Sequence, residues 1–303
     1  MARFIHSVSV PNVAIPGGTV TTWDLPVNPL SYINLVLQWT TGTAHTTIAN
    51  ILGMITQIEV LFKGSAVFSA NGLDTYSLAR CLLKYPEHED NMTGSTTEVR
   101  WLSLPILFGR VPFSPLEAFP ASQRGALQLR ITWAALHADV TALLLLVESC
   151  ELPEATPGSF LKATTLVQTA IIGQMDLELP IGNKIHAIHT YQTTKPAAAA
   201  WTNTIAHLEI LADNTQIYYT SHFWEGARAK MQYHVVPQYR LGAAAANLTD
   251  SDLYPNLWLL FDPLLDGQYI LDTAGLASLV FRYDAEAADG IRVIPVELLE
   301  VPG

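Results

Sequence analysis

Charged side chains are scarce in this sequence of 303 residues, and basic ones are the scarcer kind. Only 14% of the residues are charged, and 16 Lys and Arg stand against 27 Asp and Glu, which sets the formal net charge at −11. A protein that wraps nucleic acid needs cationic side chains to neutralise phosphates, so we expect little direct nucleic-acid binding. Half of the residues are apolar, a proportion that excludes disorder over most of the chain.

Cysteine and long apolar runs are scarce as well. Cys81 and Cys150 have no second cysteine near them, which excludes a disulfide framework and a zinc knuckle and predicts two buried free thiols. The longest apolar run, residues 141–147, is far shorter than the roughly 20 residues of a membrane helix and predicts a strand buried on both faces. Residues 1–7 contain no apolar core of signal-peptide length, so we expect no Sec-type leader.

The sequence repeats itself at a spacing of about 150 residues. Five pairs of segments share this spacing in the same order: 23–28 with 177–183, 55–61 with 205–211, 104–108 with 257–261, 127–133 with 277–283, and 147–148 with 296–297. The shift runs only from 149, for residue 147 to 296, to 154, for Pro26 to Pro180. Such a narrow range in a conserved order along the chain predicts a tandem duplication.

The boundary between the two copies is marked by Pro153, Pro157 and Gly158, which oppose both helix and central strand. A chain of this length also lies near the size at which a single core stops growing. We therefore predict an N-terminal domain at residues 1–152, a linker at 153–160 and a C-terminal domain at 161–303.

Each copy is predicted to be mostly strand. Apolar residues alternate along 126–133, so that Leu127, Leu129 and Ile131 share one face of a pleated strand. Helix is predicted only after Asn71, a good N-cap, and near Ser221. Short strands at intervals of about ten residues, separated by glycine turns, predict a sandwich or jelly roll in each copy.

Patterns that would carry chemistry are weak. His186 and His189 are three residues apart, which on a regular strand sends their side chains to opposite faces, so they reach one metal only across a bulge. No nucleophile elbow and no phosphate-binding glycine loop occur. We therefore predict no catalytic, cofactor-binding or metal-binding residues.

Two groups of polar residues have a surface interpretation. Four isolated histidines are predicted to be solvated: His45, His88, His137 and His234. Three clustered carboxylates are predicted to form a charged loop tip, with calcium binding or an acid pair as the alternative: Glu87, Glu89 and Asp90.

Two patterns follow one another in the first copy. The first is strand, turn, strand and short helix, at residues 55–68 and 71–78. The second is a proline-containing strand followed by a further strand, at residues 104–108, 119–120 and 127–131. This series resembles the first barrel of the double jelly-roll major capsid proteins of tailless icosahedral viruses, and the repeat extends the likeness to the second copy. The short chain resembles the compact members, which often enclose an internal lipid membrane.

The resemblance implies an all-β fold with a few short helices, arranged as two tandem eight-stranded jelly rolls. It implies a non-enzymatic structural subunit without cofactors, made in the host cytoplasm and found in the virion. Its partners would be two further copies in a pseudo-hexagonal homotrimer, neighbouring trimers, penton and minor capsid proteins, and an internal lipid membrane where one is present.

Three surfaces are predicted to carry that function. The connections at residues 85–100 and 236–256 are expected to be outward or inter-trimer loops. The N-terminal arm with Arg3 and Phe4 is expected to face a membrane or neighbours, with a frayed terminus as the alternative. We also expect deletion of residues 1–9 to spare trimers and hinder shell assembly. Two rival functions stay open on the sequence: a bicupin-like or glycan-processing enzyme, and a two-domain lectin.

Overall fold

The computed structural model describes residues 3–42, 44, 46–84, 89–90, 97–193, 204–221, 223–231, 233 and 256–301. The chain divides into two compact units, unit 1 (Met1–Thr164 and Leu299–Gly303) and unit 2 (Thr165–Leu298). The linker predicted at 153–160 and the domain bounds beside it stay predictions.

Unit 1 is built mainly from strands. Its described elements are, in chain order, β1 (Ile5–Ala14), β2 (Val20–Asp24), β3 (Leu30–Thr41), α1 (Ile48–Gly53), β4 (Ile55–Phe62), β5 (Ser65–Ala70), α2 (Gly72–Leu83), β6 (Glu89–Asp90), β7 (Val99–Leu107), β8 (Leu127–Trp133), β9 (Val140–Glu151) and β10 (Ser159–Thr164).

Two sheets enclose the core of unit 1. One has the order β1-β9-β3-β7-β6, and the other has the order β2-β8-β4-β5, with β10 parallel to β5. Alternation along β3 shows how the sequence forms this core: the odd-numbered residues from Ile33 to Trp39 are buried, and the even-numbered residues between them are partly exposed. A slip of one residue in the pairing would therefore exchange core and surface.

Unit 2 is also built mainly from strands. Its described elements are β11 (Leu166–Ala170), β12 (Gly173–Glu178), β13 (Lys184–Gln192), β14 (Ile205–Ala212), β15 (Gln216–Ser221), α3 (Trp224–Met231), β16 (Asn256–Leu260), β17 (Leu271–Asp272), β18 (Leu279–Ala285) and β19 (Asp289–Glu300).

The order of the strands in space is the same in both units. The order β1-β9-β3-β7 of unit 1 corresponds to β11-β19-β13-β16 of unit 2, and β2-β8-β4-β5 corresponds to β12-β18-β14-β15. Each set is two four-stranded antiparallel sheets with jelly-roll connections. The duplicated sandwich predicted from the sequence is therefore present as a duplicated topology.

The pairing corrects one anchor of the sequence repeat by two residues. Leu129 lies opposite Val60, and Phe281 lies opposite Ile210, the residue that corresponds to Val60 at a shift of 150. Leu129 therefore corresponds to Phe281 and not to Leu279. A shift of two residues keeps every side chain on its face, so alternation alone does not detect it.

The helices follow their caps. The predicted N-cap is confirmed: Asn71 Oδ1 accepts a hydrogen bond of 2.8 Å from the Asp74 N–H at the start of α2. In α1, which the sequence did not predict, Thr47 Oγ1 accepts from the Asn50 N–H at 3.2 Å. No helix in the described residues is long and apolar enough to cross a membrane.

Burial of the apolar run at residues 141–147 differs from the prediction. Leu143, Leu145 and Val147 are buried in the core, but Leu144 and Leu146 on the other face of β9 are only partly buried. Because β9 belongs to an antiparallel sheet with a single core face, its second face stays accessible within the chain. The strand is therefore buried on one face and not on both.

Candidate assembly surfaces

Much of the predicted loop surface lies outside the described residues. That holds for most of the connections at 85–100 and 236–256, for His45, His88 and His234, and for Glu87 and the side chains of Glu89 and Asp90. Among the predicted features that are described, His137 is partly exposed, with its Nδ1 3.6 Å from the Asp139 carboxylate.

The N-terminal arm is part of a sheet from its fifth residue. β1 pairs with β9 in antiparallel register, with Ile5 opposite Glu151 and His6 opposite Cys150. The frayed-terminus alternative is therefore wrong from Ile5 onward. Deletion of residues 1–9 would remove half of a strand, so its expected effect now includes loss of stability in unit 1.

An aromatic cluster lies where β1 begins. The ring of Phe4 is 5.1 Å from that of Phe113, centroid to centroid, and Phe113 is 5.7 Å from Tyr32 in an edge-to-face arrangement. His6 completes the cluster, 6.3 Å from both Tyr32 and Phe113. Such edge-to-face pairs stabilise the packing beyond the area they bury. Phe4 and Phe113 remain exposed, so the cluster is a fixed apolar surface.

The connection between β7 and β8 holds Phe113 in an unusual conformation. Phe113 has a φ of +66°, a region that bulky residues rarely adopt, and its N–H donates to the buried Ser31 Oγ at 2.8 Å. The loop is braced by Arg110, whose backbone N–H and side-chain Nε both donate to the Glu117 carboxylate at 3.0 Å. This bracing keeps the ring at the surface.

We call the surface formed by Phe4, Val27, Val111, Phe113 and Leu116 the apolar end of unit 1. All five side chains are exposed, and Leu116 is 70% exposed. They belong to the start of β1, the β2–β3 connection and the β7–β8 connection, which converge because the Ser122 N–H donates to the Val27 carbonyl and the Leu30 N–H donates to the Phe119 carbonyl. Clustered exposed apolar groups typically mark an interaction site.

Unit 2 carries exposed apolar residues at the topologically equivalent end. Ile181 lies in the β12–β13 connection, and Leu264 and Tyr269 lie between β16 and β17. The β12–β13 connection approaches the chain just after β17, where the Gly182 N–H donates to the Thr273 carbonyl. The apolar end of unit 2 is defined by these three residues.

The structure brings His186 and His189 to one face of β13, in contrast to the prediction from regular spacing. A β-bulge lies between Ile185 and Ala187, where pairing with β19 shifts register. His189 lies directly opposite Trp258, and the His186 ring is 6.4 Å from the Trp258 ring. Within the described residues, no group of three or more His, Cys, Asp or Glu side chains is arranged to hold a metal ion.

Both cysteines are free and buried, as predicted. Burial raises the pKa of the Cys150 thiol and, with the thiol as a neighbour, raises the pKa of Tyr32 to about 12. Cys150 lies opposite both His6 and Tyr32 in the sheet, and this register places it on the same face as the aromatic cluster.

Thiol labelling is expected to report on this cluster. In a Cys81→Ala background, Cys150 should react with an aromatic disulfide reagent at pH 8 only slowly, because it is buried and its raised pKa keeps it protonated. Phe113→Ala should increase the labelling rate severalfold, while Leu116→Ala, the control in the same loop, should not. Fast labelling of the native Cys81→Ala protein would contradict the described burial.

No family model and no curated protein matches this sequence. Solved structures match its fold. The crystal structure of the STIV MCP aligns with a TM-score of 0.69 and 13% identity over 98% of this chain and 97% of that chain. The major capsid protein P2 from bacteriophage PM2 aligns with a TM-score of 0.64 and 13% identity over 100% and 98%. The PBCV-1 virus capsid model aligns with a TM-score of 0.65 and 10% identity over 98% and 94%.

These likenesses concern the fold and extend over both units. The predicted fold class is confirmed: the chain is mostly β with a few short helices, in two tandem eight-stranded jelly rolls. The alternative enzyme and lectin interpretations gain no support from these neighbours, which are capsid proteins.

Proposed function

We propose that this chain is a major capsid protein whose homotrimers form pseudo-hexagonal tiles of an icosahedral virus shell. The observation that carries the proposal is one eight-strand order repeated in two units, in a fold that matches capsid proteins over at least 98% of the chain. The subunit would be made in the host cytoplasm and would act in the virion.

Geometry explains why a duplicated jelly roll suits this task. Two similar sandwiches per chain, repeated around a threefold axis, present six similar lobes, so a trimer covers a surface as a hexagon does. Closed symmetry adds up many modest contacts, so the main subunit needs broad interfaces and no reactive site. We accordingly assign no catalytic, cofactor-binding or metal residues and infer no enzymatic activity. Fivefold vertices need a different subunit, so penton and minor capsid proteins are inferred partners.

The oligomeric state and its shape test the proposal. Light scattering should give three times the 33.2 kDa chain mass, and negative-stain microscopy should show hexagonal outlines that pack into arrays or shells. A monomer at all accessible concentrations would overturn the proposal. Stoichiometric metal by elemental analysis, or specific binding on a glycan array, would favour the enzyme or the lectin instead.

We further propose that the apolar end of unit 1 faces an internal lipid membrane where the virion contains one. Support comes from Phe113 and Leu116, which are exposed on the braced connection between β7 and β8. Apolar side chains held on braced loops can insert into the boundary between headgroups and acyl chains without a spanning segment.

Vesicle flotation checks the membrane proposal. The wild-type trimer should float with neutral phosphatidylcholine vesicles, and Leu116→Glu should weaken that binding by about 10- to 150-fold per site, since burying one Leu contributes about 1.5–3 kcal/mol. Val20→Glu is the matched control, because Val20 is also exposed but lies at the start of β2. Wild-type trimers that do not float would remove the membrane from the set of partners.

A further inference from the structure

The equivalent strands β5 and β15 differ in what covers their outer edges. They end the corresponding strand orders β2-β8-β4-β5 and β12-β18-β14-β15, and each faces a bulge at the corresponding place on its partner strand, between Val60 and Leu61 for β5 and between Ile210 and Leu211 for β15. The edge of β5 is covered by β10, which pairs with it in parallel. In the described residues, no strand pairs with the outer edge of β15.

The open edge of β15 has the features of a pairing surface. Ile217, which is 55% exposed, and the exposed Tyr218 lie on it, and the strand contains neither Pro nor a charged residue. Native proteins usually protect a free edge with charge, Pro, extra bulges or a covering segment. The charge described near β15 is on Lys230 of α3, whose Nζ donates to the Thr220 carbonyl at 3.3 Å and is 4.5 Å from the centre of the Tyr219 ring. A single long side chain leaves most of the edge uncovered, and since β5 uses a covering segment, we expect one on β15 as well.

The N-terminal half of β1 is a second open edge. Among the described strands, β1 is the outermost of its sheet and pairs with β9 on one side. Its register is regular from Ile5 to Val8, whereas two register shifts and Pro11 interrupt the rest of the strand. The regular half is therefore the part that can accept a further strand, and Val8 on it is 58% exposed.

Chain order identifies which strand should cover β15. The strand that covers β5 is β10, which leads after one residue into β11, the first strand of the following jelly roll. The segment that leads into the first jelly roll, as β10 leads into the second, is the start of β1. In a ring of subunits, the jelly roll that follows unit 2 is unit 1 of another copy. If β15 is covered in the way that β10 covers β5, the covering strand is therefore the start of β1 of a second copy.

We propose that residues 5–9 of one copy pair in parallel with β15 of the neighbouring copy in the trimer. By correspondence with Ala163 opposite Phe68 and Thr164 opposite Ser69, the contact on β15 falls at Tyr219 and Thr220. The contact between subunits then repeats the contact of β10 with β5 within one chain, which is what six similar lobes require. This inference rests on the proposed trimer.

Disulfide scanning tests the pairing. Ser7→Cys, Val8→Cys and Ser9→Cys are each combined with Thr220→Cys in a Cys81→Ala, Cys150→Ala background, because adjacent strands bring Cα atoms within disulfide range. At least one pair should give covalent dimers and trimers on non-reducing electrophoresis. Val20→Cys with Thr220→Cys, the control, should give none. Trimers by light scattering without a cross-link in any pair would overturn the pairing and leave the proposed function standing; wild-type monomers would overturn both.

A charge introduced on the edge of β15 gives a second, independent test of the pairing. Ile217→Lys should raise the concentration at which half of the trimers dissociate by at least about tenfold, because a charged edge resists strand addition. Val20→Lys is the matched control: Val20 is also exposed, but it lies at the start of β2, outside both apolar ends. Circular dichroism confirms that both variants are folded. An unchanged dissociation concentration for Ile217→Lys would overturn the pairing.

Discussion

Replacing Trp39 with Ala should lower the free energy of unfolding by about 3–5 kcal/mol. Trp39 is 1% exposed and lies on the core face of β3, opposite Leu143 of β9. The substitution removes a large apolar side chain from the core of unit 1 and leaves a cavity that the sheets on either side fill only in part. Guanidinium unfolding followed by circular dichroism measures the change.

Trp101→Ala is the matched control for this prediction. Trp101 lies on β7 of the same sheet, but on its other face, opposite Gln38, and it is 42% exposed. Its removal should cost at least about 2 kcal/mol less than removal of Trp39, because much of its surface already contacts water. Equal losses for the two variants would contradict the assignment of Trp39 to the core face.

Gly109→Ala should lower the free energy of unfolding by about 1–3 kcal/mol and displace the loop that carries Phe113. A Cβ at position 109 would overlap the Glu117 carbonyl oxygen and would lie 3.1 Å from the Glu117 Cβ. The obstacle is backbone, so the strand end and the loop must separate, and Glu117 moves away from Arg110. The aromatic cluster should then lose its fixed geometry, which near-ultraviolet circular dichroism detects.

Gly53→Ala separates this effect from a general cost of replacing glycine. Gly53 ends α1, and a Cβ added there meets no atom within 4 Å. We expect its unfolding free energy to stay within about 0.5 kcal/mol of the wild-type value. If Gly109→Ala were equally neutral, the close approach of residues 109 and 117 would be wrong.

The strands could be predicted because apolar and polar residues alternate along them. Along β8, Leu127, Leu129 and Ile131 are buried and the residues between them are partly exposed, as the period of two requires. The duplication repeats this alternation in the second copy, and the N-cap Asn71 marks the start of α2. These features depend on residues within a few positions of one another.

Predictions from the sequence were wrong where the face or burial of a side chain depends on the register with a partner strand. The bulge in β13 that brings His186 and His189 to one face comes from the register with β19. Leu144 was expected in a core because its sequence neighbours are apolar, but only one face of β9 meets the core. The shift of two residues between Leu129 and Phe281 is likewise set by pairing with β4 and β14.

The surfaces proposed for assembly could not be located from the sequence. Phe4 and Phe113 are more than 100 positions apart, and neither belongs to a periodic pattern that would indicate their contact. The one available signal was the resemblance to capsid proteins, which directed attention to the N-terminal arm but did not show it as a strand.

Residue order alone establishes two tandem β-sandwiches, because hydrophobic alternation and the repeat near 150 residues are local or periodic properties of the chain. Long-range pairing decides which strand edges stay open, which side chains a bulge moves across a sheet, and which exposed apolar groups meet at one end. The physical reason is that Ile5 reaches Glu151 and β5 reaches β10 only after the chain has folded back on itself. Small changes of register there redirect whole strands while leaving the local pattern unchanged.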